Sequence, residues 1–385
     1  MMTKHAGNKF AAALLAAVMV IASLAGCGAS GSKATSGASS AAQSTSAAST
    51  SSEASKSEAS EASTASVSAA AVSESSASTT AADKKTVRIS AMAGPTGMGM
   101  VELLERNKEG SLDYNADFTL LSAVDEIAPL VIKGDVDIAC VPANLASVLY
   151  NKTEGGVETL AINTLGVLYI VEQGENVSSV ADLKGKTIYA SGKGATPEYA
   201  LRYILTENGI DPDSDVTIEW KSEHAECLSA IVEDASAVAM LPQPFVTTAM
   251  MKNESIRIAL DLTAEWDKVQ EGKDEKSSML TGVVIARKAF AEENPELIKS
   301  FMMDYSETVE WVGTHAEEAA KLIGSYEIVP EAVALKALPF CNIVCIEGSE
   351  MKEKLSGYLN VLYSFSPEAV GGTLPGDDFY YVAEQ

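Results

Sequence analysis

The chain repeats its own plan at a distance of one hundred residues. "TLLSAVDEIAPLVIKGDVDIACVPANLASVLYNK" (119–152) and "EWKSEHAECLSAIVEDASAVAMLPQPFVTTAMMK" (219–252) align without a gap. Ser122 falls on Ser222, Glu126 on Glu226, Ile138-Ala139 on Val238-Ala239, Pro142 on Pro242 and Lys152 on Lys252. Each copy runs strand, polar turn with an acid, helix, short strand, proline-containing loop, helix. Each is also preceded by a strand, a glycine loop and a helix, in "TVRISAMAGPTGMGMVELLERN" and "KTIYASGKGATPEYALRYILTENG". Strands that alternate with helices are expected to form a mostly parallel sheet covered by helices. Two such units predict two similar α/β lobes.

Ligands of open α/β sheets sit beyond the carboxyl ends of the strands, where loops feed helix starts. Four loops take that position here. The first is Gly94, Pro95, Thr96, Gly97 and Met98; the second is Pro142, Ala143 and Asn144. The third is Gly192, Lys193, Gly194, Ala195, Thr196 and Pro197, and the fourth, after Pro242, is Gln243, Pro244 and Phe245. Facing one another across two lobes, they would line the cleft of a hinged binding protein. The helix after the third loop is well punctuated: Thr196 can cap it, Pro197 suits its first turn, and Gly209 ends it. The apolar runs 158–174 and 277–290 are of similar length and read as hinge strands carrying the chain out and back. The helical stretches after Phe290 are assigned to the first lobe. The expected division is 85–168 with 279–385 for lobe one and 169–278 for lobe two.

The glycine loops are not nucleotide fingerprints. "GKGATPE" lacks both the spacing of GxxxxGK[ST] and its Ser/Thr, and "GPTGMGM" fails the spacing of GxGxxG. A more general device remains, in which glycine lets the backbone approach a ligand and free N–H groups at a helix start attract an anion. Lys193 is the candidate partner for a carboxylate, sulfonate or phosphate, against the plainer reading of a solvated lysine; its loss is expected to weaken an anionic ligand more than tenfold, a factor of about 1.4 kcal/mol. Glu198 and Glu223 could reach the cleft and meet a cation, but first-turn acids already have a structural reason to be there. His224 starts a helix near the cleft, where it could touch a ligand, though a surface or capping role is the plainer reading. Met98, Met100, Tyr169 and Phe245 could line an apolar pocket or pack the core. Trp220, Trp266 and Trp311 read as packing residues.

No GxSxG elbow, HExxH motif or His/Cys cluster with metal spacing occurs, so neither metal nor cofactor is expected. Cys140 and Cys227 read as core thiols, and Cys341 and Cys345 as two separate thiols.

The start of the chain is of another kind. Residues 1–27 combine Lys4 and Lys9, an apolar run and "LAGC", a secretory signal with a cleavage site at Cys27. Residues 28–84 are almost wholly Ser, Ala, Thr and Gly, too poor in apolar groups to fold, and are expected to be a flexible stalk. The net charge of −25 lies almost entirely beyond that stalk, which argues against nucleic acid as a partner.

Together "LAGC", the Ser/Ala stalk, "DLKGKTI" (182–188), the glycine loop before "TPEYALRYIL" and "LPQPF" (241–245) resemble the solute-binding lipoproteins of bacterial ABC transporters. The nearest group is the nitrate/sulfonate/taurine and thiamine-precursor type. The resemblance covers residues 87–301, and more weakly the C-terminal helices. It implies a two-lobed type II periplasmic-binding-protein fold that closes on a small molecule, an organic anion or a vitamin-precursor heterocycle, and delivers it to a permease and its ATPase. It maps the family's binding loops onto the four loops above. It implies a monomer held at the outer face of the cell membrane by a lipid on Cys27. Sulfonate binders often carry a Ser/Thr-rich loop where this chain has Gly192-Lys193-Gly194-Ala195, so the substrate stays open. Two other readings stay open as well: a small biosynthetic dehydratase-like enzyme on the same fold, and a ligand sensor for a membrane receptor.

Overall fold

The structure is a computed structural model and describes residues 84–273 and 277–382. The signal, Cys27 and the stalk up to residue 83 lie outside the described residues. The first unit runs β1 (Thr86–Met92), α1 (Pro95–Met98), α2 (Val101–Glu109), β2 (Asn115–Leu121), α3 (Val124–Lys133), β3 (Ile138–Pro142) and α4 (Ala143–Lys152). β4 (Val157–Leu165) completes it, and Gly166 and Val167 lead out to β5 (Leu168–Gln173). The second unit follows as β6 (Thr187–Ala190), α5 (Thr196–Glu207), β7 (Thr217–Trp220), α6 (His224–Glu233), β8 (Val238–Pro242), α7 (Phe245–Lys252), β9 (Ile256–Asp261) and α8 (Leu262–Gln270). β10 (Leu280–Arg287), α9 (Lys288–Glu293), α10 (Pro295–Thr314), α11 (Ala316–Ser325), α12 (Glu331–Ala337), β11 (Ile343–Glu347) and α13 (Gly348–Phe365) close the chain.

Two sheets result, ordered β11-β4-β10-β3-β1-β2 and β7-β6-β8-β5-β9. Apart from the extra edge strand β11, the repeat holds strand for strand. β1 pairs in parallel with β2 and β3, and β6 with β7 and β8. In each lobe the next strand outward is antiparallel and comes from the far side of a crossing: β10 beside β3, and β5 beside β8. Even the register is echoed, with Gly282 opposite Pro142 and Leu168 opposite Pro242. The two central strands β3 and β8 are buried nearly throughout, as strands covered on both faces must be.

The repeated Ser and Glu have a local cause. The Glu126 carboxylate accepts hydrogen bonds from the N–H groups of Ser122 and Ala123 at 3.0 and 2.9 Å, and Glu226 accepts from Ser222 and Glu223 at 2.8 and 3.3 Å. Each acid satisfies backbone donors at the start of its own helix and complements the helix dipole there. The cap expected of Thr196 is not formed. Ala195 occupies the cap position, so Thr196 is the first helical residue, and Pro197 stands in the first turn as read.

The end of the chain differs from the sequence reading in two ways. "IVCIE" is an edge strand, β11, paired antiparallel to β4. α10 lies against α2 and β11, but α13 also reaches the second lobe. Its Tyr358 ring lies 5.4 Å from Trp266 and its Phe365 ring 5.8 Å from Tyr203. Trp266 is fully buried and its indole N–H donates to the Ser277 carbonyl at 3.0 Å. All four cysteines beyond the stalk are free thiols.

Candidate functional site

The carboxyl ends of both sets of parallel strands open onto one cavity of about 340 Å³, within the range of small-molecule sites. It is framed by equivalent pieces of the two units: Gly94, Pro95 and Thr96 against Gly192, Ala195, Thr196 and Pro197, and Pro142 against Pro242. Gln243 and Phe245 close one side, Thr164 and Thr281 come from β4 and β10, and Glu327 and Ile328 from the turn after α11. Apolar side chains such as Met92, Leu120, Val141 and Leu168 supply much of the wall.

Close packing explains the glycines. Gly192 sits at φ +79°, and a Cβ there would come within 2.8 Å of the Pro197 ring. At Gly97 a Cβ would meet Leu120 at 2.8 Å and the Met92 carbonyl at 2.9 Å, so α1 can press onto β1 and β2 only without a side chain.

Several residues expected at the site are elsewhere. Met98 is fully buried and packs with Val101, Val312 and Ile323 beneath α11, while Met100 packs in the core on β1. Tyr169 follows Leu168 on β5, and strand alternation turns it to the opposite face, against Cys227, Leu228 and Ile231. Burial there pushes its phenol up to about 12. Gly97, Ala143, Gly194 and Pro244 are not on the wall. Lys193 is exposed and lines a neighbouring groove with Asp125, Lys221 and Ser222, because its loop presents the lysine outward.

Asn144 joins the lobes from behind the cavity. Its Nδ2 donates to the Ala369 carbonyl at 3.0 Å and to the Gly194 carbonyl at 3.4 Å, and its Oδ1 accepts from the Thr196 hydroxyl at 3.3 Å. Two residues read as ligand contacts are thus partners of each other. Glu198 is likewise engaged with its own chain, accepting from the Gly194 N–H at 2.7 Å and pairing with Arg202.

His224 is the residue that sequence reading placed too far out. It lines the cavity, lies 5.0 Å from the Phe245 ring, and shares a hydrogen bond between its Nδ1 and the Ser191 hydroxyl. Burial among these groups pushes its pKa down to about 4, so the ring is neutral at pH 7. Thr164, Thr281 and Glu327 carry no motif that could have announced them. Thr281 has a buried hydroxyl with no partner among the described residues.

Residues 99–331 match the model of a family described as ABC transporter, phosphonate, periplasmic substrate-binding protein. The chain belongs to this family. It is the extracytoplasmic solute-binding component of an ABC importer. Solved structures show the same fold at low sequence identity. An ABC transporter protein from Parabacteroides distasonis is 22% identical, with 78% of this chain and 100% of that chain covered and a TM-score of 0.65. The periplasmic aliphatic sulphonate-binding protein of Escherichia coli is 15% identical, with 78% and 93% covered and a TM-score of 0.62. The periplasmic nitrate-binding protein of Synechocystis is 15% identical, with 65% and 69% covered and a TM-score of 0.51. No curated protein matches the sequence. Among the described residues no helix is long and apolar enough to cross a membrane.

Proposed function

We propose that a small organic molecule is captured in the cavity between the lobes, and that the closed form is what the permease recognises. The observation that carries this reading is the cavity's composition from mirrored loops. Gly94, Pro95, Thr96 and Pro142 come from one lobe and Gly192, Ala195, Thr196, Pro197, Gln243 and Phe245 from the other. A ligand bridging them stabilises closure by whatever affinity it has for the closed form over the open one. The work is capture, not chemistry. Cys27 would carry the lipid that holds a monomer at the outer membrane face, and residues 28–84 would let it move above the permease.

The test is native mass spectrometry of the full chain purified without refolding. The expected result is a bound small molecule released on denaturation. A protein that carries no molecule, and whose melting is unmoved by anions, vitamins and amines, sinks the proposal.

A further inference from the structure

Among the described residues no lysine or arginine lines the cavity, while the carboxylates Glu223 and Glu327 do. The two acids come from opposite sides of the cleft, Glu223 at the start of α6 and Glu327 on the turn after α11. His224 is the remaining group able to carry positive charge, and its burial keeps it neutral. Lys193 and Lys221 lie in an adjoining groove that shares Gly192, Glu223 and His224 with the cavity, and there Lys221 is paired with Glu219 at 3.0 Å.

At three helix starts around the cleft the chain's own carboxylates already sit beside the first turn, where they compete with an incoming anion. Glu126 takes the N–H groups before α3, Glu226 those before α6, and Glu198 the Gly194 N–H before α5. An oxoanion entering this space would pass two acids at its rim and find no cation inside to compensate the water it loses. The charged side chains lining the cavity itself are acids, and such a lining favours a ligand of the other sign. Thr281 also lines the cavity, and its hydroxyl has no partner among the described residues.

We propose that the cavity takes a small organic molecule with an apolar body and no net negative charge, best an amine cation whose positive end lies between Glu223 and Glu327. This rests on the reading of the cavity as the capture site. It departs from the phosphonate of the family's description and from the sulphonate and nitrate named for the structural neighbours.

The test titrates the full chain, in detergent at low salt, with four probes that share a benzyl body: benzylamine, benzyl alcohol, phenylmethanesulfonate and benzylphosphonate. Benzylamine is expected to bind about tenfold or more tighter than either anion. Glu223→Gln combined with Glu327→Gln should remove about tenfold of the amine's affinity and leave the alcohol's within about twofold. Both positions are exposed at the rim, so the variant should fold. An anion binding as tightly as the amine, or a co-purified ligand bearing phosphonate, sulfonate or carboxylate without a compensating cation, overturns the inference and leaves the capture reading standing. If no probe binds and no molecule co-purifies, the capture reading falls and takes this inference with it.

Discussion

At Glu126 and Glu226 the two lobes are alike: an acid in the first turn closes back on the two N–H groups before its own helix. At the loop after the first strand they part. In the first lobe Gly94 leads into a four-residue α1, and Met98 is buried under α11. In the second, the loop 192–194 leads into the twelve-residue α5, and Lys193 stays in solvent. The first lobe is also the larger, with β11 and α10 added to its sheet and helices. Residues that fix strand order and helix starts are common to both lobes, whereas the loops that face the cavity are individual. A duplicated frame is set by backbone requirements, and the ligand is chosen by what the loops place on it.

The largest expected effect tests where the two lobes stop being separate. Trp266 joins α8 to Tyr203 and Tyr358, and Trp266→Ala should cost about 3–5 kcal/mol in urea denaturation. If the aromatic cluster couples the lobes, the variant should also unfold in two steps. A single transition with less than about 1 kcal/mol lost would show that the lobes do not meet there.

The next effect concerns His224, which the first lobe does not match. Its folded pKa of about 4 lies below the ordinary 6.5, so between those values the unfolded chain binds a proton that the folded chain does not. Stability from this group is therefore intact above pH 6.5 and falls as pH drops toward 4, by up to about 3 kcal/mol in all. His224→Gln should flatten the difference between urea midpoints at pH 7.5 and pH 5. An unchanged difference would mean that the ring is not held neutral.

Asn144→Ala leaves the Ala369 carbonyl and the Thr196 hydroxyl without their partner, which should cost about 1–3 kcal/mol. Because the bond crosses the cleft, ligand affinity should fall with it. Stability lost without affinity would place Asn144 in the packing of α4 alone. Glu126→Ala and Glu226→Ala should each cost about 1 kcal/mol, equal within a few tenths. A clear inequality by thermal melting would break the equivalence of the two helix starts. The smallest effect is Lys193→Ala, expected to change ligand affinity by about twofold or less, as an exposed charge should. The anion reading of the sequence requires more than tenfold, so a calorimetric titration separates the two.

Much of the frame was legible because its signals are local: Ser122 and Glu126 lie four apart, and Pro197 and Gly209 bracket a helix. The site was legible only to the level of its loops. Met98 and Tyr169 needed a parity that sequence does not carry, namely which face of the helix or strand turns to the cavity. Lys193 needed the direction of its loop between two left-handed glycines. Thr164 and Thr281 reach the wall from β4 and β10, which stand side by side only after the chain has crossed the cleft twice. β11 was hidden for the same reason, since an edge strand of five residues is set by its partner β4 and not by its own pattern.

The crossing of β10 has a consequence for the order in which the molecule can be made. The sheet of the second lobe is drawn from one uninterrupted run, Leu168–Asp261, and can pair fully once that run is available. The first lobe must wait. β3 ends at Pro142, yet its neighbour β10 begins at Leu280, and β4 is covered at its edge only when β11 arrives at Ile343. For a chain that emerges from its N-terminus, the later half of the repeat therefore finishes first, and the earlier half is the slow, long-range step that leaves β3 with one open edge beside β1 and β4 unpaired in the meantime.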